Sequence, residues 1–184
     1  MSEYKITDLG ALENPARADV LEITDASAST SHKITTQELV GQAYADITLL
    51  ADTANQTLSS SFAKLTVFDG TTASFNCTVA GDNDSITVAD AGVYMVMFSC
   101  NFSTDTAKTI TIALSVGGSE DIDDQVAQAV PTTGVANIYN MSFCILKSLS
   151  AADVLTLEAK AQSGTPALTF NNINLVVKKI DASA

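Results

Sequence analysis

The sequence predicts a mainly β protein: an antiparallel jelly-roll sandwich of about eight strands, preceded by an extended N-terminal arm and a short helix. Three observations carry that expectation. From Phe62 onward apolar and polar residues alternate with period two, in runs such as FAKLTVF, KTITIALSV and VLTLEAKA. Turn-forming residues separate these runs: Asp69-Gly70, AGDND at 80–84 and Gly117-Gly118. Before Phe62 the chain is rich in Ala, Ser and Thr and poor in bulky side chains, so it lacks a core of its own. A two-sheet immunoglobulin-like sandwich is the alternative architecture.

Residues 1–35 read as an attachment arm. Lys5-Ile6-Thr7 is repeated by Lys33-Ile34-Thr35, an echo that marks two similar β-segments but is too few copies for a solenoid. Asn14-Pro15 is a turn signal, and Val20, Leu21 and Ile23 form a short strand-like run. Ile6, Leu9, Leu12, Leu21, Ile23 and Ile34 are the apolar side chains such an arm has to offer a partner.

Residues 36–61 read as a helical connector or short trimeric stalk. Thr35 followed by Glu38 fits a capping box. Val40, Ala43, Ile47, Leu50, Ala54 and Thr57 then recur at three- and four-residue steps, with Val40, Ile47 and Leu50 as the seam. So short a helix is marginal alone, which favours a seam shared between copies; a single amphipathic helix on its own domain is the other option.

Residues 62–184 read as the knob. Its longest run, GVYMVMFSCNFS, sets Val93, Met95, Met97 and Ser99 on one face and Tyr94, Val96, Phe98, Cys100 and Phe102 on the other, as in a central strand covered on both sides. A domain this poor in charge exposes apolar surface unless it oligomerises. Tyr94, Phe98, Tyr139 and Phe143 are the candidate contributors to a threefold interface, with intrachain core as the alternative for each.

Composition excludes several function classes. The net charge of −12 opposes binding to nucleic acid or to an anionic membrane surface. Tryptophan is absent and aromatics total 6%, which leaves little material for stacking on sugars or bases. Cys77, Cys100 and Cys144 have neither CxxC spacing nor an even count, and their apolar surroundings predict buried free thiols in a reducing compartment. MSEYKITDLG has no apolar h-region, so no signal peptide is expected, and no run is long enough to span a bilayer.

No catalytic activity is expected. His32 is the lone histidine, set in a Ser/Thr stretch, and no nucleophile elbow, phosphate loop or zinc-binding helix accompanies it. No cofactor is expected beyond a weak case for calcium. That case rests on the acidic loops GDND, with Asp82 and Asp84, and SEDIDD, with Glu120, Asp121, Asp123 and Asp124; neither has EF-hand spacing.

Two resemblances extend this reading. About residues 62–180 resemble the trimeric jelly rolls of the tumour-necrosis-factor and complement-globular-head superfamily. The likeness is carried by Ala91-Gly92-Val93-Tyr94, by LSAADVLTLEA at 149–159 and by the closing LTFNNINLVVKKI. Ala152 stands where that superfamily usually has glycine, and no collagen tract is present.

Residues 5–39 resemble the N-terminal segment of many bacteriophage tail fibres, head fibres and decoration proteins. The matching positions are Lys5-Ile6-Thr7-Asp8-Leu9, Leu12, Pro15-Ala16, Asp19, Leu21-Glu22-Ile23, Asp25-Ala26-Ser27-Ala28 and Lys33-Ile34-Thr35. This resemblance implies a virion protein assembled in the host cytoplasm: a homotrimeric capsid decoration (cement) protein or head fibre, held to the major capsid protein by its arm. The alternative it implies is a tail fibre or receptor-binding tip that recognises a host receptor. At 184 residues the chain is short for a complete receptor-binding fibre, which favours the capsid.

Overall fold

The computed structural model describes residues 20–25, 30–35, 43–51, 53–130 and 137–180, with backbone alone at 20–25, 30–35 and 119–124. The chain divides into two compact units, Met1–Gln42 and Ala43–Ala184.

In the first unit, β1 (Val20–Asp25) and β2 (Thr30–Thr35) pair as an antiparallel hairpin. The register sets Leu21 opposite Ile34, Ile23 opposite His32 and Val20 opposite Thr35. The second Lys-Ile-Thr thus lies in a strand. Ile6, Leu9, Leu12 and Val40 lie outside the described residues.

The second unit holds twelve strand segments: β3 (Tyr44–Thr48), β4 (Ala54–Thr57), β5 (Ala63–Lys64), β6 (Ser74–Phe75), β7 (Cys77–Val79), β8 (Ile86–Val88), β9 (Gly92–Thr104), β10 (Thr109–Val116), β11 (Ser119–Ala129), β12 (Tyr139–Leu149), β13 (Val154–Ala161) and β14 (Ala167–Lys179). They form two antiparallel sheets. One runs β12-β9-β14-β3-β6, with β4 also on β14; the other runs β11-β10-β13-β8-β7, with β5 also on β13. Neighbours in each sheet are mostly distant in sequence, as a jelly roll requires and a set of simple hairpins does not.

Alternation builds the core. In β9 the even residues Tyr94, Val96, Phe98, Cys100 and Phe102 are buried, and in β14 Leu168, Phe170, Ile173, Leu175 and Val177 meet them. The parity change between Phe170 and Ile173 comes from a bulge, which turns both Asn171 and Asn172 outward. From the other sheet Ile110, Ile112, Leu114, Leu155, Leu157 and Ala159 close the core. Aromatic rings cluster within it: Phe98 lies 5.1 Å from Phe143, and Phe102 lies 6.0 Å from Tyr139 and 6.1 Å from Phe170.

Four expectations are corrected. No helix occupies the described residues of 43–61. Ala43, Ala45, Ile47 and Leu49 share period two and are buried; Ala45 and Ile47 lie in β3, which pairs with β14 and sets Ile47 opposite Leu175. A ladder of five pairs with β14 and a core face outweigh a marginal helix. The knob therefore begins near Ala43 rather than Phe62. SEDIDD is not a loop but the first half of β11, paired to β10. FAKLTVF contributes only the two-residue β5, and Leu65, Val67 and Phe68 are buried in an irregular crossover instead.

The β12–β13 turn carries backbone strain. Ala152 sits at φ 68°, in the left-handed region that disfavours a Cβ. It is held there because its N–H donates to Val88 O at 2.9 Å, while Ser150 N–H donates to the Asp153 carboxylate at 2.8 Å. Glycine relieves the strain and keeps every hydrogen bond. Replacing Ala152 by Gly is expected to stabilise the protein by about 0.5–1 kcal/mol; a thermal melt reads this as a Tm about 1–4 °C higher, and an unchanged or lower Tm contradicts it.

Candidate functional site

The residues that β9, β12, β14 and β3 turn away from the core form one continuous outer face. Because the register is known, its rows can be written across the sheet. Leu146, Met95, Lys178 and Tyr44 form one row, and Cys144, Met97, Val176 and Asp46 the next. Ser142, Ser99, Asn174 and Thr48 follow, and then Asn140, Asn101 and Asn172. One end of the face is thus largely apolar, with Lys178 and Asp46 set in it, and the other is hydroxyl- and amide-rich. Ser99 donates to the Asn174 side-chain oxygen at 2.8 Å at the boundary. An open groove of about 540 Å3 runs there, lined by Met97, Ser99, Ser142, Cys144, Asn174 and Val176.

Leu146 is 65% exposed, the most exposed large apolar side chain among the described residues, and Tyr44 and Ile180 add to the same end. The outer face of the opposite sheet has different chemistry. It presents Thr78, Thr87, Thr109, Thr111, Thr156, Glu158 and Lys160, with the Lys160 ammonium 4.2 Å above the Phe62 ring.

The four aromatic residues expected at a threefold interface all belong to the inward set. Tyr94 and Phe98 are 0% and 2% exposed in the single chain, where they fill the core. Tyr139 and Phe143 are half-buried on the core-facing side of β12. The outward residues of these same strands, Met95, Met97, Cys144 and Leu146, are the ones a partner can touch. The signal was present in the sequence: the odd face of β9 ends in Ser99 and Asn101 and carries no ring, whereas bulky rings take the interior. Of the expected stalk residues, Ile47 is core and Leu50 is exposed on the loop after β3.

Asp82 and Asp84, at the tip of the β7–β8 hairpin, face a lysine. The Lys64 ammonium lies 3.5 Å from Asp82 Oδ2 and 3.9 Å from Asp84 Oδ2. Asp121 and Asp123 lie on β11. Among the described residues no group of three or more His, Cys, Asp or Glu is placed to hold a metal. The thiols divide sharply. Cys100 is buried and Cys77 half-buried, and burial pushes them up to about 12 and about 11, whereas Cys144 is exposed on the outer face.

No family model and no curated protein sequence matches the chain. Solved structures do. An Eiger TNF from S. frugiperda superposes with a TM-score of 0.60 at 13% identity, over 78% of this chain and 95% of that one. Murine APRIL, solved at pH 5.0, superposes with a TM-score of 0.51 at 13% identity, over 76% of this chain and all of that one. The likeness is one of fold, a TNF-type jelly roll.

The Asp84 environment generates a pH dependence. Burial raises its carboxyl pKa, and the opposing pull of Lys64 is smaller. The folded state therefore holds a proton to higher pH than the unfolded chain does, so Asp84 adds stability below the ordinary carboxylate pKa and loses it as pH rises through the raised value. The Tm of the native protein minus that of Asp84→Asn should grow as pH is lowered from 7 toward 4. A difference that shrinks over that range contradicts the assignment.

Proposed function

We propose that this protein is a structural component of a bacteriophage virion: a homotrimeric capsid decoration protein or head fibre, bound to the major capsid protein through its N-terminal arm. The observation that carries the reading is the arm itself. The Lys-Ile-Thr…Lys-Ile-Thr segment resembles virion-proximal segments of phage fibres and decoration proteins, and it belongs to a unit, Met1–Gln42, separate from the jelly roll. A two-stranded hairpin is at best marginally stable alone in water, so β1 and β2 suit an element that takes its final order from a larger surface.

Several features support a non-enzymatic role. His32, the single histidine of the sequence, lies in β2. The charge of −12 suits a protein on the outside of a nucleic-acid container and keeps it from adhering to the genome during assembly. A trimeric knob with three arms gains from multivalency: once one arm docks, the other two act at high effective concentration. Bridging neighbouring capsid subunits in this way strengthens a shell without any single strong contact.

Co-sedimentation with capsids lacking the protein tests the reading. The full chain should pellet with them, and a chain beginning at Ala43 should stay in the supernatant because it keeps the whole jelly roll but no arm. Equal pelleting of both chains removes the arm from the proposal. Failure of either to pellet, together with inhibition of phage adsorption by the purified protein, moves the protein to the tail as a fibre or receptor-binding tip.

A further inference from the structure

We propose that the groove on the outer face of the β10–β13 pair is a binding site for a sugar unit that carries a carboxylate. The inference is independent of the capsid reading and of the other sheet.

Three pieces of chain build the site. Thr109 and Thr111 of β10 and Lys160 of β13 face outward from neighbouring strands, with Thr111 directly opposite Lys160. Ser60, in the loop before β5, and Gln162, just beyond β13, complete a groove of about 340 Å3, which the buried Ala161 also lines. That volume is at the lower end of the roughly 300–1,000 Å3 of small-molecule sites. Backbone bonds fix the frame: Ala161 N–H donates to Ser59 O and Gln162 N–H to Thr109 O, both at 2.8 Å.

The polar groups of the groove are uncommitted. The Ser60, Thr109 and Thr111 hydroxyls and the Gln162 amide make no hydrogen bond to another described residue. Outward polar groups elsewhere are paired, as in Ser99–Asn174, Thr169–Asn55 and Thr72–Asp46. A hydroxyl or side-chain amide both donates and accepts, which matches the hydroxyls of a sugar.

Charge adds the carboxylate. The Lys160 ammonium, 4.2 Å above the Phe62 ring, has no carboxylate partner among the described residues, whereas Lys64 is taken by Asp82 and Asp84. One fixed cation balances one carboxylate; a phosphate, with nearly twice the charge, would be left partly uncompensated. Screening confines the effect of the net charge of −12 to about 8 Å in physiological salt. No carboxylate lines the groove, and Glu158, the next outward position on β13, lies outside it. Recognition here is by charge and hydroxyls, since Phe62 gives its ring face to Lys160.

Titration of the full-length protein with glucuronate, glucose and acetate, followed by amide chemical shifts, tests the site. Glucuronate should shift the amides of Ser60, Thr111, Lys160 and Gln162. It should bind at least about tenfold more tightly than glucose, which lacks the carboxylate, or acetate, which lacks the hydroxyls. Lys160→Gln, at a half-buried outward position, should lose at least about tenfold in glucuronate affinity with an unchanged far-UV spectrum and unchanged glucose binding. Thr111→Val keeps the ammonium and should weaken both sugars alike. Glucose binding as tightly as glucuronate, or a Lys160→Gln protein that keeps its glucuronate affinity, overturns the carboxylate. Acetate binding as tightly as glucuronate overturns the sugar, and the absence of shifts at these four amides overturns the site.

Discussion

The central pair of strands, β9 and β14, constrains everything else in the jelly roll. Each runs thirteen residues, and they pair directly across Val96–Val177, Phe98–Leu175 and Cys100–Ile173. A central strand has no free edge, so its backbone groups are satisfied on both sides and only its two faces remain to be solvated or buried. One face takes Phe98, Phe102 and Phe170, each worth about 1.5–3 kcal/mol when removed from water. Placing these rings inside determines which residues are left outside, because a one-residue slip would exchange the two sets completely. The bulge at Asn171–Asn172 is the one place where β14 changes parity, and it directs two asparagines toward solvent where a strict alternation would have buried one.

The two outer faces are consequences of the same rule with different remainders. On β10 and β13 the outward positions include Thr109, Thr111, Thr156, Glu158 and Lys160, residues that a hydrated sheet surface tolerates. On β9, β12 and β14 the outward positions toward one end are methionine, valine, leucine and cysteine, with Lys178 beside them. A monomer gains nothing from an exposed leucine beside two exposed or half-exposed methionines, and such patches on soluble proteins usually mark association sites. The amide- and hydroxyl-rich remainder of the face limits how far the apolar patch extends, as Ser99 and Asn174 satisfy one another at its border.

Strands with a strong period of two were legible in the sequence. β9, β10, β13 and β14 stand where their alternation placed them. The left-handed φ of 68° at Ala152, where the resembled superfamily usually has glycine, was not read from the sequence. Residues 43–57 misled for a physical reason. Alanines and a few aliphatics spaced by two, three and four satisfy both periods, and only the presence of β14 as a ladder partner decides between them. SEDIDD misled because charge was taken as a sign of a loop, whereas β11 pairs only with β10 and so forms a sheet edge. Charged residues on edge strands discourage unwanted pairing. Parity within β9 was read correctly, yet the aromatic set was assigned to the wrong role: both faces looked apolar, and nothing in a single strand says which face the second sheet will cover.

A division of labour between the two units follows from their unequal capacity for burial. The jelly roll closes a core of aromatic and aliphatic side chains from both sheets and is stable through its own long-range pairing. The six-residue strands β1 and β2 supply one hairpin, far below the three or more strands that independent stability requires. Under the capsid reading this weakness is useful. An arm that orders only when docked spends part of its contact energy on ordering, so each single attachment is weak and reversible. Three such arms on one trimeric knob then discriminate between an isolated capsid subunit, which engages one arm, and a finished shell, which engages all three at once. Selectivity for the assembled particle would then come from the geometry of attachment rather than from a tight individual contact, and loss of the trimer would weaken capsid binding even with every arm residue intact.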